Sequence, residues 1–338
     1  MKKSYKLLLF GILATICTLI AYLVTNSKYF KPKESPNLSR ITLVLNIQRL
    51  DQELFNMDSK EKILNLLEQE PLFTNQYLRI SPEITNEMLA DELYTMIQNP
   101  DMKDLYNEIQ KRYGDFSDIT KQLTDAFKSV KDYYPDVVIP KIVAFITGMG
   151  TDLYVSKELI VIGLDFFMGS DAKYKLQNMP NYILRTYEPE YLVPRTILVY
   201  LPLFIDSNIK NSSLLDDIIY LGKLYYFARQ VLPEVDDSIL LGYTDEQIRG
   251  LNEHKADVWT HFIDNKLFYI TDHFIKKKYI TSRPFTSEIS IKCPGCIGKW
   301  LGWQIVNSYM KHHKSVKLSE LMHNTDANTI LLESKYKP

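Results

Sequence analysis

The chain has 338 residues, of which 46% are hydrophobic, so it can bury the core of one large domain or of two small ones. Its 40 lysines and arginines nearly balance its 41 aspartates and glutamates, and the chain therefore has no global field that would attract nucleic acid. Three cysteines are too few for a disulfide framework, and one of them, Cys17, lies inside an apolar run. Composition thus argues against a nucleic-acid-binding protein and against a disulfide-rich scaffold.

Residues 7–24 form an uninterrupted apolar run of 18 residues, the minimum length for a membrane-spanning helix. The run is too long for a typical signal-peptide core, and no small-x-small cleavage site follows it. Lysines before the run favour a cytoplasmic N-terminus. We therefore expect an uncleaved signal anchor at 1–25, a linker at 26–39 and a domain at 40–338 that faces the periplasm. The alternative is a lipoprotein processed at Cys17, which the residues around that cysteine fit poorly.

The next segment changes from a strand pattern to a helical one. Apolar residues alternate through 40–47, which predicts a β-strand. From residue 51 to about 134 they recur at helical spacing, which predicts a layer of helices around the core. This segment contains no motif with chemical meaning.

Two β-branched runs, 136–147 and 158–166, are separated by a glycine-rich stretch with the composition of a hairpin turn. Asp165 follows the apolar part of the second run, at the end of a strand that we expect to be central. It is either a turn-forming residue or a carboxylate at the rim of a cleft. The neighbouring Gly169 and Asp171 favour the turn.

Two long helices are predicted between residues 213 and 269. The first covers 213–229, with Ser212 or Ser213 as its N-cap, and Pro233 ends it. The second covers 244–269, and acidic residues in its first turn suit the helix dipole.

The C-terminal part contains a predicted strand at 285–291, followed by two cysteines and then a helix. Cys293 and Cys296 could be a redox pair, half of a zinc site or a local disulfide; a zinc site would need two more ligands. Gly298 and Gly302 are four residues apart in the helix, which predicts that another backbone packs closely there.

Histidines offer a weak metal hypothesis. His254, Asp257 and His261 would share one face of a helix and could supply three ligands. The two histidines are about 10 Å apart by helix rise, however, which is far for one ion, so exposed histidines are the better interpretation. His312 and His313 are adjacent and face different ways. The sequence has no phosphate-binding loop, no Gly-x-Ser-x-Gly elbow and no His-Glu-x-x-His motif.

Several stretches that would be weak singly are specific together. They are residues 162–165, 167–169, 179–182, 185, 222–225, 241–244, 252–253, 259, 284–286, 294–295, 297–298, 300, 302–306, 308–309 and 334–338. Through them the chain resembles the gliding-motility lipoprotein GldB family of Bacteroidota over nearly all of its exported part.

That family looks like a distant relative of gluzincin-type zinc peptidases. The resemblance implies an α+β, zincin-like fold, largely helical with a small mixed sheet, behind the N-terminal anchor. The counterparts of the zinc-binding motif would be Gly222, Lys223 and Tyr226, and the third ligand would be Glu253. These residues cannot supply three ligands and a general base, so we expect no bound metal or other cofactor and no zinc catalysis. We also expect Lys223 to form an ion pair with Glu253, since a buried carboxylate without its metal needs a cation.

The resemblance implies a non-catalytic, envelope-anchored component of gliding motility or of the associated surface-protein secretion machinery. Its partners would be other envelope motility or secretion proteins and the membrane, and not nucleic acid. Two alternatives stay open. One is an active envelope metallopeptidase with His254, His261 and Glu253 as ligands; the other is a thiol–disulfide protein that uses Cys293 and Cys296.

Overall fold

The structure is a computed structural model that describes residues 38–207 and 212–338. It has the predicted α+β fold, largely helical with a small mixed sheet. The predicted anchor at 1–25, with Cys17 in it, and nearly all of the 26–39 linker lie outside the described residues. Within the described ranges, no helix combines the length and the apolar character needed to cross a membrane.

One sheet contains the strands β1 (Ile47–Arg49), β2 (Lys141–Phe145), β3 (Leu153–Val155) and β4 (Leu159–Gly163), in the spatial order β1-β2-β4-β3. β1, β2 and β4 are parallel, and β3 is antiparallel to β4.

The predicted hairpin between 136–147 and 158–166 is wrong, because β2 and β4 pair in parallel. The short strand β3 lies between them in sequence and turns the chain back, so that β4 starts again in the direction of β2. The real hairpin is β3–β4, and β3 occupies the sheet edge. β2 and β4 are therefore the central strands, as predicted for the strand that precedes Asp165.

Both faces of the sheet are buried, because successive side chains of a strand point to opposite sides. Ile142, Ala144, Ile160 and Ile162 belong to a large apolar core on one face. Val143, Phe145, Leu159 and Val161 belong to a smaller core on the other. The sheet is thus the middle layer between two layers of helices.

The predicted helical layer of 51–134 is confirmed. Its helices are α1 (Leu50–Phe55), α2 (Lys60–Gln69), α3 (Pro71–Phe73), α4 (Asn86–Gln98), α5 (Pro100–Tyr113) and α6 (Ser117–Tyr133). α1 to α4 cover the smaller core, and α5 and α6 contribute to the larger one. The predicted strand at 40–47 is wrong: residues 41–46 alternate in exposure but pair with no strand of the described chain.

The C-terminal half supplies most of the helices over the larger core. They are α7 (Asn181–Leu184), α8 (Leu192–Tyr200), α9 (Leu214–Val231), α10 (Asp237–Leu241), α11 (Asp245–Glu253), α12 (Lys255–Asp264), α13 (His273–Ile280), α14 (Ile297–His312), α15 (Leu318–His323) and α16 (Ala327–Ser334). Of the two serines that the sequence offers as N-cap of α9, Ser213 is the cap, and it forms a reciprocal capping box with Asp216.

Two secondary-structure predictions in this half are wrong. The helix predicted at 244–269 is broken at His254, whose backbone leaves the helical conformation, so α11 and α12 are separate. The strand predicted at 285–291 is a series of turns. The buried Thr286 holds these turns in place, because its hydroxyl donates to the carbonyl of Pro294 and its amide to that of Cys293.

Candidate functional site

α9 and α14 cross at the centre of the larger core, with backbone against backbone. A Cβ on Gly222 would lie 2.3 Å from the carbonyl oxygen of Gly302, and a Cβ on Gly302 would lie 1.9 Å from that of Ile218. A Cβ on Gly298 would meet the side chains of Ile218 and Ile280 and the carbonyl of Tyr279 at 3.1–3.2 Å. The close packing predicted for Gly298 and Gly302 is confirmed, and Gly222 is the facing residue.

Lys223 is buried beside this crossing, with a relative exposure of 2%. Its Nζ donates to the carbonyl oxygens of Asp206 at 3.0 Å, Met322 at 3.1 Å and Asn324 at 3.0 Å. Burial lowers the pKa of Lys223 to about 8, and the nearby carboxylate of Asp206 acts in the opposite direction. An ammonium group has three donors, so these carbonyls satisfy all of them.

The predicted ion pair between Lys223 and Glu253 is not formed. Glu253 is the last residue of α11 and is exposed, whereas all donors of Lys223 point to carbonyls inside the protein. Tyr226, one turn further along α9, is buried in the larger core. The four residues inferred for the degenerate zinc centre therefore do not converge on one point. Gly222 and Lys223 hold helices together, Tyr226 fills the core, and Glu253 faces solvent.

The histidines are placed apart from one another as well. His254 forms an exposed pair with Asp257, with 2.9 Å between Nδ1 and the carboxylate. His261 contacts the hydroxyl of Tyr279 through Nε2 at 3.1 Å. His312 and His313 each place Nδ1 against a carbonyl of their own helix. In residues 38–207 and 212–338, no three histidine, cysteine or acidic side chains lie close enough together to hold one metal ion.

Asp165 is buried just after β4 and organises the turn that follows β2. Its carboxylate accepts hydrogen bonds from the backbone amides of Thr147 and Met149, at 3.0 and 2.5 Å, and from the Thr147 hydroxyl. Burial raises the pKa of Asp165, and these hydrogen bonds oppose that effect. Asp165 is therefore a turn-forming residue, which is the first of the two interpretations of its sequence, and not a carboxylate at the rim of a cleft.

Cys293 and Cys296 are free, buried thiols, so the local disulfide, one of the three possibilities that the sequence left open, is not present in the structure. The Cys296 thiol donates to the carbonyl of Ile280 at 3.2 Å. Burial raises the pKa of Cys293 to about 12 and also raises that of Cys296. Few thiolates form under such conditions, which makes both groups poor nucleophiles in this geometry.

A pocket of about 300 Å³ lies where α8, the 239–243 segment and the start of α14 meet. Sequence reasoning did not identify it as a site. Its charged lining residues are Arg185, Arg195, Arg283 and Lys299, and none of the described residues that line it is acidic. Tyrosines form much of the remaining wall: Tyr182, Tyr187, Tyr191, Tyr225 and Tyr243.

Two of the four cations are neutralised outside the pocket. Arg195 forms an ion pair with Asp152 at 2.7 Å, and Arg283 forms one with Glu288 at 3.1 Å. Arg185 and Lys299 have no carboxylate partner among the residues that the structure describes. The guanidinium of Arg185 donates to the carbonyl of Gly242 at 2.8 Å, which fixes it in the pocket wall.

Lys299 lies in the first turn of α14 and is partly buried. Its Nζ is 4.3 Å from the ring centroid of Tyr243 and 6.0 Å from that of Tyr225. Burial lowers the pKa of Lys299, the positive charge of Arg185 lowers it further, and Cys296 acts in the opposite direction. The Tyr243 hydroxyl lies 3.0 Å from the carbonyls of Gly295 and Cys296, which ties the Tyr243 ring to the start of α14.

The pocket could not be found by motif, because its cations come from four separate parts of the chain. One signal was present: several of the stretches that carry the family resemblance contribute residues to its wall. These residues are Tyr182, Arg185, Tyr225, Leu241, Gly242, Tyr243, Pro284, Pro294 and Gly295.

The family model described as gliding motility protein GldB matches residues 31–338, which is nearly the whole chain. No curated protein and no solved structure matches.

Proposed function

The chain belongs to the gliding-motility GldB family, and on that basis we propose that it is a non-catalytic component of gliding motility that is anchored in the cell envelope. It acts by binding other envelope motility or secretion proteins, with its folded domain on the periplasmic side. The membership implies involvement in gliding. Our proposal adds three properties to this involvement: the domain is not catalytic, it is anchored to the membrane, and it binds other envelope proteins.

The observation that carries the non-catalytic role is the backbone contact between Gly222 and Gly302. The first ligand helix of a gluzincin-type peptidase needs its ligand face open to the metal and to a reacting water. In this chain the corresponding face of α9 is packed against α14, and at Gly222 there is no room for even a Cβ atom. The next residue, Lys223, gives all of its donors to backbone carbonyls. This segment is therefore well suited to hold a scaffold together, and a zincin-like ancestry would explain its position.

A test of this proposal is complementation of gliding in a host that lacks its own copy of the gene. The variant combines Glu253→Gln, His254→Ala and His261→Ala, which removes the carboxylate and both imidazoles of the metallopeptidase alternative. We expect normal gliding, because Glu253 and His254 are exposed and only His261 has a contact with the protein interior. A matched control carries His312→Ala alone, since this side chain contacts only its own helix.

Loss of gliding with unchanged protein abundance in the variant, but not in the control, would contradict the proposal. About one equivalent of zinc in the purified wild type, lost in the variant, would then assign the metallopeptidase alternative.

The thiol–disulfide alternative has a separate test. A Cys293→Ser, Cys296→Ser double variant should retain gliding, because both thiols are buried and their raised pKa values disfavour thiolate chemistry. Thiol titration of the wild type under denaturing conditions provides the second readout. A variant that folds and reaches the membrane but does not support gliding, together with an oxidised pair in the wild type, would favour the alternative.

A further inference from the structure

The pocket at the start of α14 carries positive charge that no carboxylate in its described wall balances. Two of its cations, Arg185 and Lys299, have no carboxylate within reach among the described residues, while Arg195 and Arg283 do. Two positive charges in the wall of one partly enclosed pocket repel each other and are poorly solvated. An anion between them would relieve both costs.

The backbone contributes to the same field. Lys299 and Cys296 belong to the start of α14, a 16-residue helix, so the positive end of its dipole lies beside the pocket. A lysine in the first turn of a helix is unfavourable unless something negative is near.

Size and lining define the rest of the ligand. A volume of about 300 Å³ is at the lower end of small-molecule pockets, which fits a compact molecule or the end of a chain. Tyrosine rings and the side chains of Leu198, Leu240 and Leu241 offer an apolar or aromatic surface beside the charges. One planar guanidinium and one ammonium are suited to the two oxygens of a carboxylate.

We infer that this pocket binds a small organic carboxylate with an aromatic or aliphatic body, through Arg185 and Lys299. The inference does not depend on the non-catalytic role proposed above. It adds to that role a ligand site that is separate from the Gly222–Gly302 crossing.

The test uses N-acetylphenylalanine and its amide, which have the same body and differ in charge. The full-length protein is titrated calorimetrically with each compound at constant ionic strength. The carboxylate should bind at least tenfold more tightly than the amide. Lys299→Met should remove at least tenfold of that preference and Lys299→Arg should retain most of it, because only the charge is needed.

Lys311→Met is the matched control, since Lys311 is an exposed lysine on the same helix, and it should bind as the wild type does. The ammonium group of Lys299 makes no hydrogen bond to any described residue, so replacing this side chain should leave the fold intact, and circular dichroism checks this. A second readout is the labelling of Lys299 by an amine reagent, followed by mass spectrometry. The carboxylate should protect Lys299 from labelling, and the amide should not.

Three results would overturn the inference. One is equal binding of the carboxylate and the amide. Another is no protection of Lys299 by the carboxylate at about 10 mM, where even a millimolar Kd gives near-complete occupancy. The third is preferential binding of inorganic phosphate, which would assign the site to phosphate-bearing ligands instead.

Discussion

The crossing of α9 and α14 gives the most direct test of the fold. In Gly302→Ala, the added Cβ would lie 1.9 Å from the carbonyl oxygen of Ile218 and 2.9 Å from the amide nitrogen of Gly222. Side-chain carbons essentially never approach other atoms within 3.0 Å. Because both atoms that it would meet belong to the backbone, no rotamer change can relieve the overlap, and the two helices must move apart by about 1 Å.

The size of the effect follows from two opposing contributions. Overpacking in a well-packed core costs about 1–3 kcal/mol, and a clash with backbone belongs at the upper end of that range. Replacing a helical glycine by alanine returns about 0.5–1 kcal/mol through the unfolded state. We therefore expect Gly302→Ala to lower the free energy of unfolding by about 2 kcal/mol.

Gly250→Ala is the matched control. Gly250 lies within α11, and a Cβ built there meets nothing within 4 Å. This substitution should stabilise the protein by about 0.5–1 kcal/mol, because only the unfolded-state contribution remains. Urea unfolding of both full-length variants and the wild type, followed by circular dichroism in one detergent, measures the difference. If Gly302→Ala is as stable as Gly250→Ala, the two backbones are not in contact and the packing argument is wrong.

Three further predictions concern other parts of the chain. Lys223 should make the protein more stable as the pH rises. The pKa of this lysine is about 8 in the folded protein and 10.5 in the unfolded chain, so the unfolded chain binds more protons between these two pH values. The unfolding free energy of the wild type, measured relative to that of Lys223→Met, should therefore increase by up to about 3 kcal/mol from pH 8 to 10.5. A difference that stays constant over this range would contradict the lowered pKa. Asp165→Asn should cost about 1–3 kcal/mol in urea unfolding, because an amide oxygen cannot replace both carboxylate oxygens at the 147–149 turn; an unchanged midpoint would show that the turn does not need the charge. Mass spectrometry of the native protein should find residues 7–24 still attached, whereas a mature chain that starts at Cys17 would identify a lipoprotein.

The sequence by itself determined those features that depend on neighbouring residues. Apolar spacing predicted α9 and limited its N-cap to Ser212 or Ser213, because helical periodicity and capping act within one or two turns. The pair of glycines in α14 indicated a close helix contact, since only glycine lets two backbones approach so closely. Strand character was also visible in the β-branched runs of β2 and β4.

Only the tertiary structure decided which distant segments meet. The parallel pairing of β2 with β4 depends on where β3 places the chain, and the composition of the intervening turn does not encode that. Lys223 was predicted to pair with Glu253, but its partners are carbonyls near residues 206 and 322–324, and their positions are set by the packing of α15 and not by charge pattern. The cationic pocket likewise brings together four side chains whose spacing in sequence carries no signal. Local sequence specifies elements because their hydrogen bonds are local, whereas sites such as these arise from contacts that form only when the core closes.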